Sequence, residues 1–151
     1  MDQVTDDLWI SDAPTVRELS EPHQFEHVVT VGYFDRLGYN RPTASDTGDR
    51  FVFQDAAAHE YDRFAAAVDH LRETLSTPTL CPVLVHCQAG VSRSAAVCTA
   101  ALAVQAGLSY ETAFETVATA RSKVDPIPPL VDSARRYIQQ HEKSDEATGE
   151  Y

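Results

Sequence analysis

Apolar and polar positions follow two rhythms along this chain, one of period two and one of period near 3.6. Leu8-Trp9-Ile10 reads as a short strand, and residues 14–19 as one or two helical turns after it. Val28-Val29-Thr30-Val31 is a β-branched run that predicts a second strand. Residues 32–49 then carry glycine, proline, asparagine and serine without any period, the pattern of a long surface loop. An extended pattern resumes in Arg50-Phe51-Val52-Phe53-Gln54. From His59 onward Phe64, Val68, Leu71 and Leu75 recur at helical spacing.

The run Pro82-Val83-Leu84-Val85-His86 shows no alternation, as expected of a central strand buried on both faces. Residues 94–106 are apolar all round, which predicts a helix inside the core, and Gly107 ends it. Tyr110, Phe114 and Val117 mark a further helix over about 110–121, and Leu130, Ala134, Tyr137 and Ile138 a last one from Pro128. Strands alternating with helices, with helices gathering towards the C-terminus, predict an α/β fold: a central, largely parallel sheet flanked by helices. Residues 1–141 are expected to form a single domain without repeat or linker, and residues 142–151 a disordered acidic tail.

Charge narrows the range of partners. Acidic residues number 23 against 12 basic ones, a net charge of -11, which argues against nucleic acid and anionic membrane. Lys123 and Lys143 are the only lysines, a pattern that resembles proteins of salt-loving organisms; an ordinary acidic cytosolic protein is the equal alternative. Cys81, Cys87 and Cys98 give neither a disulfide framework nor a zinc-ligand pair, so a reducing interior is the default. Met1 to Asp7 lacks the features of a signal peptide, and the uncharged stretch 94–110 is too short and too polar to span a bilayer. A cytoplasmic protein is expected. His23, His27, His59, His70, His86 and His141 do not assemble at a ligand spacing, so neither metal nor other cofactor is expected.

The stretch His86-Cys87-Gln88-Ala89-Gly90-Val91-Ser92-Arg93-Ser94 lies between the buried strand and the buried helix, where the N–H groups of a tight loop converge on an anion. Cys87 at its mouth would feel those N–H groups, the helix start and a guanidinium, all of which favour thiolate over thiol and make it a nucleophile. Gln88, Ala89, Gly90, Val91, Ser92 and Arg93 would form the phosphate cradle, with the planar fork of Arg93 gripping two phosphoryl oxygens. Gly90 is expected at positive φ, where the loop closes. Ser94 would donate a hydrogen bond to the departing thiolate. His86, at the strand end, would orient the loop by hydrogen bonding to it, a role compatible with that of a satisfied core histidine.

The residues 85–94 resemble the signature of dual-specificity phosphatases within the cysteine-phosphatase superfamily. Leu8-Trp9-Ile10 resembles that family's opening strand and residues 108–114 its helix after the loop, so the resemblance covers about 4–141 with the middle loop unmatched. It implies the cysteine-phosphatase fold, a phospho-cysteine intermediate, and a general-acid aspartate about thirty residues before the cysteine. Asp55 fits that spacing, and the edge of a neighbouring parallel strand is where α/β sheets place such groups. Asp49 and Asp62 read as solvated charges. The family often has Arg-Pro and then Pro-Asn before its last helix, the asparagine bracing the phosphate loop. Here Ser122 follows Arg121 and Ile127 follows Pro126, so support is expected from elsewhere, or looser.

Relatives acting on inositol phosphates usually carry lysines in the loop, where this chain has Gln88 and Val91. Phosphorylated proteins, on tyrosine or on serine and threonine, are the implied substrates, met in a shallow pocket; Tyr39-Asn40-Arg41 is a chance likeness to a tyrosine-recognition motif. The alternatives are a rhodanese-like sulfurtransferase or arsenate reductase, and a phosphate-binding module without catalysis. Cys81, taken to lie on the same strand as Cys87, and Cys98 read as small buried hydrophobes. The oligomeric state is left open.

Overall fold

A strand with both faces covered needs apolar residues at every position, and the run before Cys87 becomes that strand. The computed structural model of the chain describes residues 1–19, 24–31, 50–51 and 53–149. Within them β1 (Asp2–Gln3), β2 (Leu8–Asp12), β3 (His27–Val31), β4 (Arg50–Phe51) and β5 (Val83–Cys87) form one sheet in the order β1-β2-β5-β3-β4. Only β1 is antiparallel to its neighbour. Central β5 pairs Asp12 with Cys87 on one side and Thr30 with His86 on the other, so three strand ends meet where the loop 88–92 begins.

The helices are α1 (Ala13–Arg17), α2 (Tyr61–Leu75), α3 (Arg93–Ala106), α4 (Tyr110–Ala120) and α5 (Pro128–Gly149). The side chains of β5 sort them into layers. Leu84 packs with Val16 of α1, Phe25 and Val28 on one face, whereas Val83, Val85 and Cys87 join the larger core formed with α2 to α5. Helix α3 lies in the middle of that layer, touching α2, α4 and α5, which is why its sequence has no polar face. It ends at Gly107, whose φ of +67° costs a residue without Cβ least. Asp12 caps α1 by accepting from Thr15 N–H (2.8 Å), and Ser109 caps α4 by accepting from Thr112 N–H (3.1 Å). Among the described residues no helix is long and apolar enough to cross a membrane.

The expected elements are present, with four differences. β1 is a two-residue edge strand of polar residues, too short to leave a period in the sequence. β4 does not reach Phe53 or Gln54, although Phe53 is buried in the core. Cys81 is not on the strand of Cys87: it follows the 3-10 turn Pro78–Leu80, and its Sγ lies 3.6 Å from the carbonyl oxygens of both Thr74 and Thr77. The tail expected to be disordered is helical to Gly149; Glu142, Lys143, Glu146 and Ala147 are good helix formers, and no proline or glycine interrupts them. The loop 32–49, with Tyr39-Asn40-Arg41 and Asp49, lies outside the described residues, as do His23 and Val52.

Candidate active site

Cys87 closes β5 with its side chain on the α3 side, 2% exposed. Its Sγ accepts a hydrogen bond from Gly90 N–H (3.2 Å) and lies 3.2 Å from Ser94 Oγ, in the first turn of α3. The loop between them is held by its carbonyls. Gln88 O accepts from Ala13 N–H (3.0 Å), Ala89 O and Gly90 O from the Arg121 guanidinium (3.1 and 2.8 Å), and Val91 O from Asp125 N–H (2.8 Å). Four successive carbonyls are thereby engaged from outside, and the Gly90 amide points inward at the sulfur. Gly90 has φ +67°, as the sequence predicts, and a Cβ there would stand 2.6 Å from Ser11 O.

Arg121 is the brace that sequence reasoning missed. Its side chain is 7% exposed, and besides the two carbonyls it binds Asp2 Oδ2 (2.8 Å) and Asp12 Oδ2 (3.2 Å). Burial pushes the Asp12 carboxyl up, but hydrogen bonds from Thr15 and Arg121 and the arginine's charge outweigh it and hold the group below the ordinary carboxylate range. Support for the loop therefore comes from Arg121 itself, not from an asparagine after Pro126. The backbone takes over at that place as well, since Ile127 N–H donates to Ser92 Oγ (3.1 Å). One signal was available: Arg121 continues the i, i+4 series Ala113, Val117 on the buried face of α4, where a guanidinium needs partners.

Asp55 is brought to the loop, although not directly from a strand end: β4 does not reach Phe53 or Gln54 and is separated from β5 by β3. Its Oδ1 accepts from Ser92 Oγ–H at 2.6 Å. Arg93 opens α3, half-buried, with Nη1 3.5 Å from Phe53 O, so the guanidinium lies beside the segment that leads to Asp55. Asp62 is exposed in the first turn of α2, in keeping with a solvated charge. Gln88 and Ala89 are exposed at the rim, Val91 is half-buried and Ser92 buried. His86 ties β5 to β3 through a 2.8 Å bond between Nε2 and Thr30 Oγ1, with a longer 3.4 Å approach of Nδ1 to Cys87 O. None of the three cysteines is in a disulfide. Burial, with a contribution from nearby Cys87, pushes the Cys98 thiol strongly up, which suits a packed, inert group. Among the described residues no group of three or more histidine, cysteine, aspartate or glutamate side chains could hold a metal.

A buried thiol facing a loop amide, at the end of the central strand of a mostly parallel sheet, is the arrangement of cysteine-based phosphate-loop proteins. The chain belongs to the family described as "Dual specificity phosphatase, catalytic domain", which matches residues 8–140. Human dual specificity phosphatase 28 is 46% identical over 54 residues, 36% of this chain and 31% of that protein. Chicken dual specificity protein phosphatase 4 is 52% identical over 44 residues, 29% of this chain and 12% of that protein, so the match spans about an eighth of that relative's length. The crystal structure of human DUSP28 superposes with a TM-score of 0.78 at 21% identity, covering 95% of this chain and 99% of that one, a likeness of fold.

Proposed function

We propose that the chain is a phosphoprotein phosphatase that hydrolyses phosphomonoesters of tyrosine, or of serine and threonine, through a phospho-cysteine intermediate. The observation that carries this reading is Cys87 Sγ between Gly90 N–H and Ser94 Oγ, in a loop whose carbonyls are all engaged outside it. The Cys87 thiolate attacks phosphorus; an S–P bond forms as the P–O bond breaks, and Asp55 gives its proton to the leaving oxygen. The loop amides and Arg93 hold the equatorial oxygens, where charge accumulates. Water then attacks the phospho-cysteine and returns a proton to Asp55, the S–P bond breaks, and Ser94 stabilises the restored thiolate. Residues 1–141 act as one catalytic unit in this reading. Its partners are phosphorylated proteins, and a cytoplasmic setting agrees with three unpaired thiols. The acid-rich, lysine-poor composition agrees with a high-salt habitat.

Turnover of para-nitrophenyl phosphate by the native protein and by Cys87→Ser tests the reading. The native protein should turn over and the folded variant should not. Phosphate binding without native turnover would favour the non-catalytic module, and turnover by the variant would remove Cys87 as nucleophile.

A further inference from the structure

The segment that carries Asp55 is fastened at a second point. His59, four residues on, closes the turn 56–59: its N–H (3.2 Å) and its Nδ1 (2.7 Å) both meet Ala56 O. A carbonyl oxygen only accepts, so Nδ1 carries a proton; the other ring nitrogen, Nε2, lies 2.6 Å from Ser133 Oγ. Ser133 is a buried residue of α5, and α5 packs against α3, the helix that begins at Arg93. The imidazole also stands against Phe53 and Phe64, with ring centroids 6.4 Å away in each case. Phe53 is the residue whose carbonyl faces Arg93.

Asp55 thus has an inner tie, Ser92, and an outer one that runs from Ala56 through His59 to α5. We propose that His59 is a positioning residue for the general acid: paired with Ser133, it holds the turn after Asp55 so that the carboxyl stays directed at the leaving oxygen. The proposal rests on Asp55 being the acid and goes beyond it, because the signature loop does not include His59, Ser133 or their bond.

The chemistry supplies a readout that a merely structural role would not move. A phenoxide like that of tyrosine, whose parent phenol has a pKa of about 10, needs a proton as it leaves. A nitrophenoxide leaves without one. Loosening the turn should therefore slow phenyl phosphate and spare para-nitrophenyl phosphate, with KM unchanged. For His59→Ala and for Ser133→Ala we expect kcat on phenyl phosphate to fall about tenfold, part of what a general acid contributes. On para-nitrophenyl phosphate both should stay within about twofold of native. The double variant should be no slower than either single one, and Ser133→Thr, which keeps the hydroxyl, should recover the native ratio.

Asp55→Asn is measured beside them. If it shows the contrast between substrates while folded Ser133→Ala and His59→Ala lower both rates equally or neither, the role given to His59 is overturned and the acid stands. If Asp55→Asn shows no contrast, both assignments fall. Should His59→Ala not fold, Ser133→Ala decides alone.

Discussion

At the scale of single residues, charge and shape separate at Arg93. In the proposed reaction lysine would keep the charge and lose the planar fork proposed to grip two oxygens, so Arg93→Lys should lower kcat on para-nitrophenyl phosphate about 10²-fold or more. A folded variant within about threefold of native would show that charge alone suffices there. Cys87, Gly90, Arg93 and Ser94 were legible because one loop holds them, and local spacing is what a sequence displays. Asp55 was reached only through resemblance: its partner Ser92 is 37 positions away, and nothing near Asp55 marks it above Asp49 or Asp62. Arg121 shows in the sequence only that it falls on the buried face of α4, and its bracing role is hidden there, since its partners are at positions 2, 12, 89 and 90.

Among the elements, α4 contributes to the site only through the residue that caps its end. Removing a buried guanidinium leaves two carboxylates and two carbonyls without their donor, so Arg121→Met should destabilise the fold by about 3 kcal/mol, read as a lower urea midpoint. The folded fraction should also lose kcat, because the loop carbonyls could then turn inward. Asp2→Asn should shift the midpoint less, the Asp2 side chain being 36% exposed and its charge partly solvated. An unchanged midpoint in Arg121→Met would mean that water satisfies the loop as well as arginine does. β5 and α3 were readable because each is extreme, apolar at nearly every position for its type. β1 has two residues, and two residues carry no period.

Over the whole molecule, the α/β class was readable from the alternation of elements, whereas the layers are set by contacts between residues far apart in the sequence. Several buried and half-buried groups shift together. Burial pushes up Cys81, Cys98, Tyr61, Tyr110 and Tyr137, the last to about 12, with the hydrogen bond to Asp69 adding to burial and Arg72 opposing it. A group whose folded pKa lies above its unfolded one gives stability that is complete below the unfolded value and lost as pH rises through the folded one. The protein should therefore hold its urea midpoint up to about pH 8.5 and lose it steadily above, through the range where unfolded cysteine and then tyrosine ionise. Tyr137→Phe should start lower, having lost its bonds to Asp69 and Arg72, and decline less steeply between pH 10 and about 12. An equal slope would show that Tyr137 is not a source of the loss. The bracing of the loop also sets a schedule. Arg121 stands 119 positions from Asp2 and 109 from Asp12, and the groups that take the carbonyls of Ala89, Gly90 and Val91 come from positions 121 and 125. A nascent chain that has already released the whole stretch 86–94 still carries an unbraced loop, and the loop is held only once the end of α4 and the residues after it have emerged and folded back onto the first strands.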